Sequence, residues 1–256
     1  MNKNIKAYLG YTFVLSWILL GIAAIGRINQ QTPLGILLTI PAGLAPGTFG
    51  ILVKKRYSTI EDFKLFIRNI INPRHNVFWY IIVIILSFTF LFLPTVLFGG
   101  TKKLPIYMAI IFFIPMIIGG GLEEIGWRGL LQPELQKKYS VVISTLIVGV
   151  IWGAWHIPFF KVPGTNQSSM NYLWFFVFAI ALSFSLSAIF NATKSIFLCI
   201  IFHALINSFW SVYVPDSSKI ISAFCMLAFS IIVSFVITKV ANRKDCTDKN
   251  SIKNSL

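Results

Sequence analysis

Apolar residues in this chain come in runs of about 20 separated by short polar stretches. They follow neither the period of two of a half-buried strand nor the 3.6-residue stripe of a soluble surface helix. About 20 apolar residues carry a helix across the hydrocarbon core of a bilayer. The pattern therefore predicts eight spans, near 7–26, 33–53, 77–99, 104–125, 141–160, 171–190, 195–213 and 219–239. The first follows Lys3 and Lys6 as a signal peptide would. Its apolar run is longer than a signal h-region and lacks a small-x-small cleavage site before Arg27, so it reads as an uncleaved helix. Pro41, Gly43, Pro46 and Gly47 predict that the second span is kinked or broken and packed against neighbours.

Ser58 to Asn72 departs from this pattern. Ser58 and Glu61 have capping-box spacing, and Ile60, Phe63, Ile67 and Ile70 recur at helical intervals, with Lys64 and Arg68 on another face. This predicts an amphipathic helix lying on the cytoplasmic leaflet and ended by Pro73. His75 follows in a polar loop and reads as a solvated surface histidine.

Composition agrees with a bilayer as solvent. The chain has 256 residues, 56% hydrophobic and 12% charged, with a mean hydropathy of +0.78, whereas soluble domains carry about 25% charged residues. The expected fold is all-α: a polytopic membrane helical bundle of about eight transmembrane helices with an interfacial cytoplasmic helix. One membrane-embedded domain is expected over 1–240, and a basic cytoplasmic tail over 241–256. The net charge of +14 would suit nucleic acid if it formed a stripe, but the basic residues sit in short loops, which excludes that reading. With the N-terminus inside, only Arg27, Lys102, Lys103, Lys161 and Lys219 fall outside, and the other 17 of the 22 Lys and Arg are cytoplasmic. The positive-inside rule then places both termini in the cytoplasm. Cys199, Cys225 and Cys246 have neither metal-site spacing nor an even pairing, and Cys246 is too far from Leu256 for a prenylation box.

Candidate chemistry lies in the few ionisable residues at membrane depth. Of eight acidic residues, only Glu123 and Glu124 directly follow an apolar run, and two of three histidines, His156 and His203, lie within spans. Such groups cost at least about 2.5–3.5 kcal/mol to insert, so they are functional candidates by default. Glu123 and His156 are 33 residues apart, with the midpoint between Tyr139 and Ser140 in the polar break from Gln136 to Ser140. Residues equidistant from the turn of a helical hairpin share a depth, which predicts that the two face each other. If Arg128 to Lys138 protrudes, the pair lies about 10–15 Å below the cytoplasmic surface, and His203 about 13 Å deep, at 1.5 Å rise per residue. His203 and Asn207 share a helix face, as do Glu124 and Arg128 in the favourable acid-before-base order. Glu123 points about 100° away from Glu124, so one carboxylate can pair with Arg128 while the other faces a cavity. Trp152 and Trp155 are expected to pack around His156 and to need no other role.

These residues resemble a known family. Glu123-Glu124-Ile125-Gly126-Trp127-Arg128 is similar to the E-E-x-x-x-R motif of the CAAX prenyl endopeptidase family, also called the CPBP (CaaX protease and bacteriocin-processing) intramembrane proteases. Gly129 to Pro133 continues the likeness. Trp152 to His156 resembles the family's aromatic-x-x-x-His motif, with Trp where Phe is commoner, and His203 to Asn207 resembles its His-x-x-x-Asn. The ordered set covers 123–207 within a protease-like core at 104–213. The resemblance implies an eight-helix membrane protease with a cytoplasm-open cavity, in a bacterial plasma membrane. In it Glu123 and His156 would activate water, His203 and Asn207 would bind the oxyanion or complete a metal site, and Glu124 and Arg128 would support them.

Amide hydrolysis without a Ser or Cys nucleophile needs an activated water, a base and oxyanion stabilisation. Glu123, His156 and His203 could hold Zn²⁺ with an open position, or act directly as a glutamate-type protease; the sequence leaves both open. The expected function is an intramembrane endopeptidase acting on a peptide or protein tail, lipidated or membrane-anchored, in processing or bacteriocin self-immunity. The alternative is a non-catalytic immunity or peptide-binding protein on the same fold. A proton-relay transporter would also place Glu and His in the membrane, but the two halves show no matched pair of broken helices.

Overall fold

A computed structural model describes the backbone of residues 3–253 and the side chains of residues 3–240. Its elements are α1 (Lys3–Ile25), α2 (Pro33–Tyr57), α3 (Ile60–Ile71), α4 (Val77–Phe98), β1 (Gly100–Lys102), α5 (Met108–Ile118), α6 (Glu124–Gly126), α7 (Gln132–Gln136), α8 (Val141–Trp155), α9 (Tyr172–Thr193), α10 (Ile196–Trp210), β2 (Tyr213–Pro215) and α11 (Ile220–Lys253). The fold is an all-α polytopic bundle. Among the described residues, seven helical segments are long and apolar enough to cross a membrane. The one expected span not among these seven, 195–213, is α10. Its 15 residues reach about 22 Å, short of the roughly 30 Å hydrocarbon core. This helix packs against α4, α5 and α9 and carries buried Phe202, His203 and Ile206. The tail expected over 241–256, with Cys246, lies outside the residues whose side chains are described.

Of the kink or break expected in the second span, no break occurs: α2 runs as one helix with Pro41 and Pro46 inside it, packed against α1 and α6 as expected. Pro46 lacks the N–H that would bond to the Ala42 carbonyl, and Ser16 Oγ of α1 donates to that carbonyl instead, at 2.8 Å. A neighbouring side chain thus replaces the lost bond, as membrane helices require. The glycines of α2 have a second use. A Cβ on Gly47 would come within 2.5 Å of the Leu122 carbonyl oxygen, and one on Gly50 within 2.8 Å of Gly126 Cα. Bare backbone on α2 therefore lets the 122–126 segment lie directly against it.

The amphipathic helix exists as α3, with its cap one residue later than expected. Thr59 Oγ1 accepts from the Asp62 N–H at 3.2 Å. Ser58 ends α2, where its hydroxyl donates to the Lys54 carbonyl at 2.6 Å, so it is not free to cap α3. The inner face is Phe63, Phe66, Ile67 and Ile70, with Phe66 buried and Ile60 exposed. His75 is likewise not a freely solvated histidine: its Nε2 lies 2.8 Å from Ser195 Oγ, the cap of α10.

The largest departure from expectation concerns 128–138. Read as a protruding polar loop, it instead continues inward as five residues of π-helix, Trp127–Leu131, followed by α7. Arg128 and Gln132 are buried with part of their polar groups paired: Arg128 Nη1 lies 2.9 Å from Glu124 Oε2 and Gln132 Nε2 donates to Ser187 Oγ at 2.8 Å, while Arg128 Nε and Nη2 and Gln132 Oε1 have no hydrogen-bond partner among the described residues. At the opposite end of the bundle, β1 and β2 form a short antiparallel pair, with Thr101 opposite Val214.

Candidate active site

The site forms where α5 stops. Pro115 stands in its last turns, and Gly119 and Gly120 follow before a single 3₁₀ turn, Gly121–Glu123. The tightened turn and the π-helix after α6 together set the rotation of Glu123 and Glu124; π insertions of this kind often mark functional positions.

The two adjacent carboxylates do different things. Glu123 is buried, and its Oε2 accepts two indole N–H bonds, from Trp152 at 2.6 Å and Trp127 at 3.2 Å. Oε1 carries neither bond. Glu124 is wholly buried between two partners, with Oε2 2.9 Å from Arg128 Nη1 and Oε1 2.7 Å from His203 Nδ1. The carboxylate thus bridges a guanidinium on its own helical segment to an imidazole on α10, and fixes the ring's orientation.

His156 closes α8. Its Nδ1 donates to the Trp152 carbonyl at 2.9 Å, an assignment forced because a carbonyl can only accept, and Nε2 is left as the bare nitrogen of the neutral ring. Trp152 meets both histidines edge-on, with ring centroids 4.8 Å from His156 and 5.6 Å from His203. Asn207, one turn beyond His203, donates from Nδ2 to the Gly119 carbonyl at 3.3 Å. Gly120 leaves the space between them open. A Cβ there would run into Asn207 Nδ2 and lie 3.2 Å from His203 Nε2.

Glu123 and His156 line one cavity of about 310 Å³, together with Thr39, Ile40 and Gly43 of α2, Phe159, and Pro115, Met116, Ile118 and Gly119. Its polar rim is Gln30, Asn166 and Gln167, and the last two also line a smaller crevice beside Asn207. The loops that bear this rim are joined by the Gln30 N–H donating to the Pro163 carbonyl at 2.8 Å. They lie between α1 and α2 and between α8 and α9, at the end away from Lys54, Lys55, Lys137 and Lys138. This corrects the expected depth. Because 128–136 is folded inward, His156 stands a full α8 length from Ser140, about 22 Å at helical rise.

Sequence reasoning missed three features of the site. Trp152 hydrogen-bonds Glu123 as well as packing on His156; the legible signal was an indole where the motif usually carries a ring without an N–H. Trp127 and Gly120 gave none, since their roles depend on tertiary approach. Among the described residues Glu123, His156 and His203 do not form a group of three His, Cys, Asp or Glu side chains placed to hold one ion, although the bonds above leave Glu123 Oε1 and the Nε2 atoms of both histidines unengaged.

Residues 105–209 match the family model described as Type II CAAX prenyl endopeptidase Rce1-like. The chain is 30% identical over 227 residues to CAAX prenyl protease 2 of Methanococcus maripaludis, covering 80% of this chain and 83% of that protein. It is 24% identical over 149 residues to Lysostaphin resistance protein A of Staphylococcus haemolyticus, covering 51% of this chain and 39% of that protein.

Proposed function

Because this chain belongs to the Rce1-like type II CAAX prenyl endopeptidase family, we propose that it is an intramembrane peptidase in which Glu123 activates water against a peptide carbonyl held beside His156. The observation that carries this reading is the division of labour between neighbouring carboxylates. Glu124 is consumed by Arg128 and His203, whereas Glu123 keeps one oxygen free in the cavity it shares with the bare Nε2 of His156.

In this mechanism Glu123 Oε1 takes a proton from water as the oxygen attacks the carbonyl carbon. His156 Nε2 accepts a hydrogen bond from the same water and orients it. His203 with both ring nitrogens protonated donates Nδ1–H to Glu124 and keeps Nε2–H for the developing oxyanion. Asn207 Nδ2 offers a second donor across the gap that Gly120 leaves open, and such paired donors act where charge develops. Glu123 then returns its proton to the leaving amine. The substrate is a peptide or protein segment at the membrane, with lipidated tails as one candidate class. The relative named for prenyl protease activity supports that class.

The relative named for lysostaphin resistance supports a second reading, in which the same cavity sequesters a peptide without cutting it. A peptide library offered to purified protein in detergent decides between them. Cleavage by wild type and a loss of at least about 100-fold in kcat/KM for Glu123→Gln and His156→Ala are expected, the scale of a general base. Cleavage persisting in both variants would remove these residues from the mechanism. Binding without cleavage by wild type would favour sequestration.

A further inference from the structure

At one end of the bundle α1, α3 and α8 begin and α2 and α7 finish. Two cavities adjoin there beside α7, and Glu134 and Lys137 line both. The first, of about 210 Å³, is lined mainly by polar residues of α2, α3 and α7. Two cations and two carboxylates line it: Lys54 and Lys137, Asp62 and Glu134. Lys137 Nζ is taken by Glu134 Oε1 at 2.6 Å. Neither Lys54 nor Asp62 has an ion-pair partner among the described residues. One unpaired charge of each sign fits neither a simple anion nor a simple cation. It fits a zwitterion that carries a phosphate and, a short chain away, an ammonium.

The second cavity, of about 330 Å³, is apolar along its length. Its walls are Ile5 of α1, Leu135 of α7 and Ile147 of α8. Ile147 stands seven residues into the helix from Ser140, about 10 Å at helical rise, so the groove runs from the charged end toward the apolar middle of the bundle. Val142, Ile143 and Leu146 are exposed on the outer surface of α8, the surface that meets lipid. Tyr139, half-exposed at the mouth, has the ring and hydroxyl that suit the level of headgroups. A polar cavity and an apolar groove thus stand side by side, as the head and the chain of a phospholipid do.

We propose that this pair of cavities binds one phospholipid with a primary-ammonium headgroup, of the phosphatidylethanolamine type. Its phosphate lies at Lys54, its ammonium at Asp62, and one acyl chain in the groove beside Ile147. A primary ammonium carries three N–H donors for a carboxylate to accept; a trimethylated one carries none, and an uncharged polyol headgroup leaves Asp62 facing a phosphate without a cation between them. Gly129, Leu130 and Pro133 also line the polar cavity, so the lipid seats against the segment that bears Arg128 and braces it from outside the active site.

The test uses the full chain, purified in detergent and stripped of lipid, with native mass spectrometry as phosphatidylethanolamine, phosphatidylcholine or phosphatidylglycerol is added. Phosphatidylethanolamine should bind at least about fivefold more tightly than either of the others, the scale of one charge contact at a membrane surface, and should raise the melting temperature. Asp62→Asn should abolish the preference over phosphatidylcholine, Lys54→Gln should weaken all three lipids, and Ile147→Phe, which fills the groove, should do the same. The three substitutions lie on three helices, and melting curves without lipid show which variants are folded. Equal affinity for the three lipids would reduce the site to ordinary boundary lipid and overturn the proposal. A preference for phosphatidylglycerol would make it an anion site and overturn the zwitterion assignment. A preference unchanged in folded Asp62→Asn and Lys54→Gln would place the lipid elsewhere. Displacement of the lipid by equimolar O-phosphoethanolamine, the headgroup without chains, would remove the groove from the site.

Discussion

Trp152 serves three neighbours at once. Its indole N–H bonds Glu123, its ring lies edge-on to His156 and His203, and its carbonyl fixes the His156 tautomer. Only the first is lost on Trp152→Phe, which keeps a ring in place. A hydrogen bond to a charged group contributes about 1.5–3 kcal/mol. The substitution should therefore lower kcat/KM by about 10–100-fold, mostly in kcat, with little change in thermal stability. Steady-state kinetics beside a melting curve in detergent would check this; an equal fall in both would make Trp152 a packing residue alone. Gly120→Ala acts on the same site from the other side. Its methyl collides with Asn207 Nδ2, so turnover should be lost while substrate binding at the Glu123 end persists, as fluorescence-detected peptide binding can show. At this scale the ionisable residues stood out in the sequence because charge is rare in apolar spans. An indole N–H reads as apolar, and a glycine's empty space has no signature without its neighbours.

Elements here are held together by carbonyls and charges that find partners on other elements. Arg128→Ala would leave Glu124 buried with His203 as its remaining partner. Removing one member of a buried ion pair costs about 3–5 kcal/mol, and the melting temperature should fall accordingly, while Arg128→Lys recovers part of the loss. Ser16→Ala leaves the Ala42 carbonyl unpaired beside Pro46; a net loss of about 0.5–1.5 kcal/mol is expected. A cost near zero would mean that the backbone beside Pro46 needs no partner from α1. Helix positions were legible because 20-residue apolar runs have few other uses. Helix character was less so: α2 was expected to be kinked or broken and runs unbroken through Pro41 and Pro46, and of 128–138, expected to protrude, 128–136 packs within the bundle.

For the whole molecule, the arrangement of donors predicts that catalysis proceeds without zinc. Among the described residues no three His, Cys, Asp or Glu side chains stand close enough to share one ion. Cleavage should survive chelation, and protein of full activity should contain less than one zinc per chain by elemental analysis. Activity that vanishes with chelator and returns with stoichiometric zinc would mean that these side chains rearrange around a metal. The sequence by itself determined the bilayer as solvent, the approximate spans and the residues worth suspecting, because hydropathy and rare buried charge are properties of single positions and short runs. The tertiary structure decided which carboxylate is tied up and which is free, that Trp152 and Gly120 belong to the site, and toward which end of the bundle the cavity opens. Each of these depends on contacts between segments distant in the chain, where a partner's presence, and not a residue's own character, sets whether a polar group is spent or available.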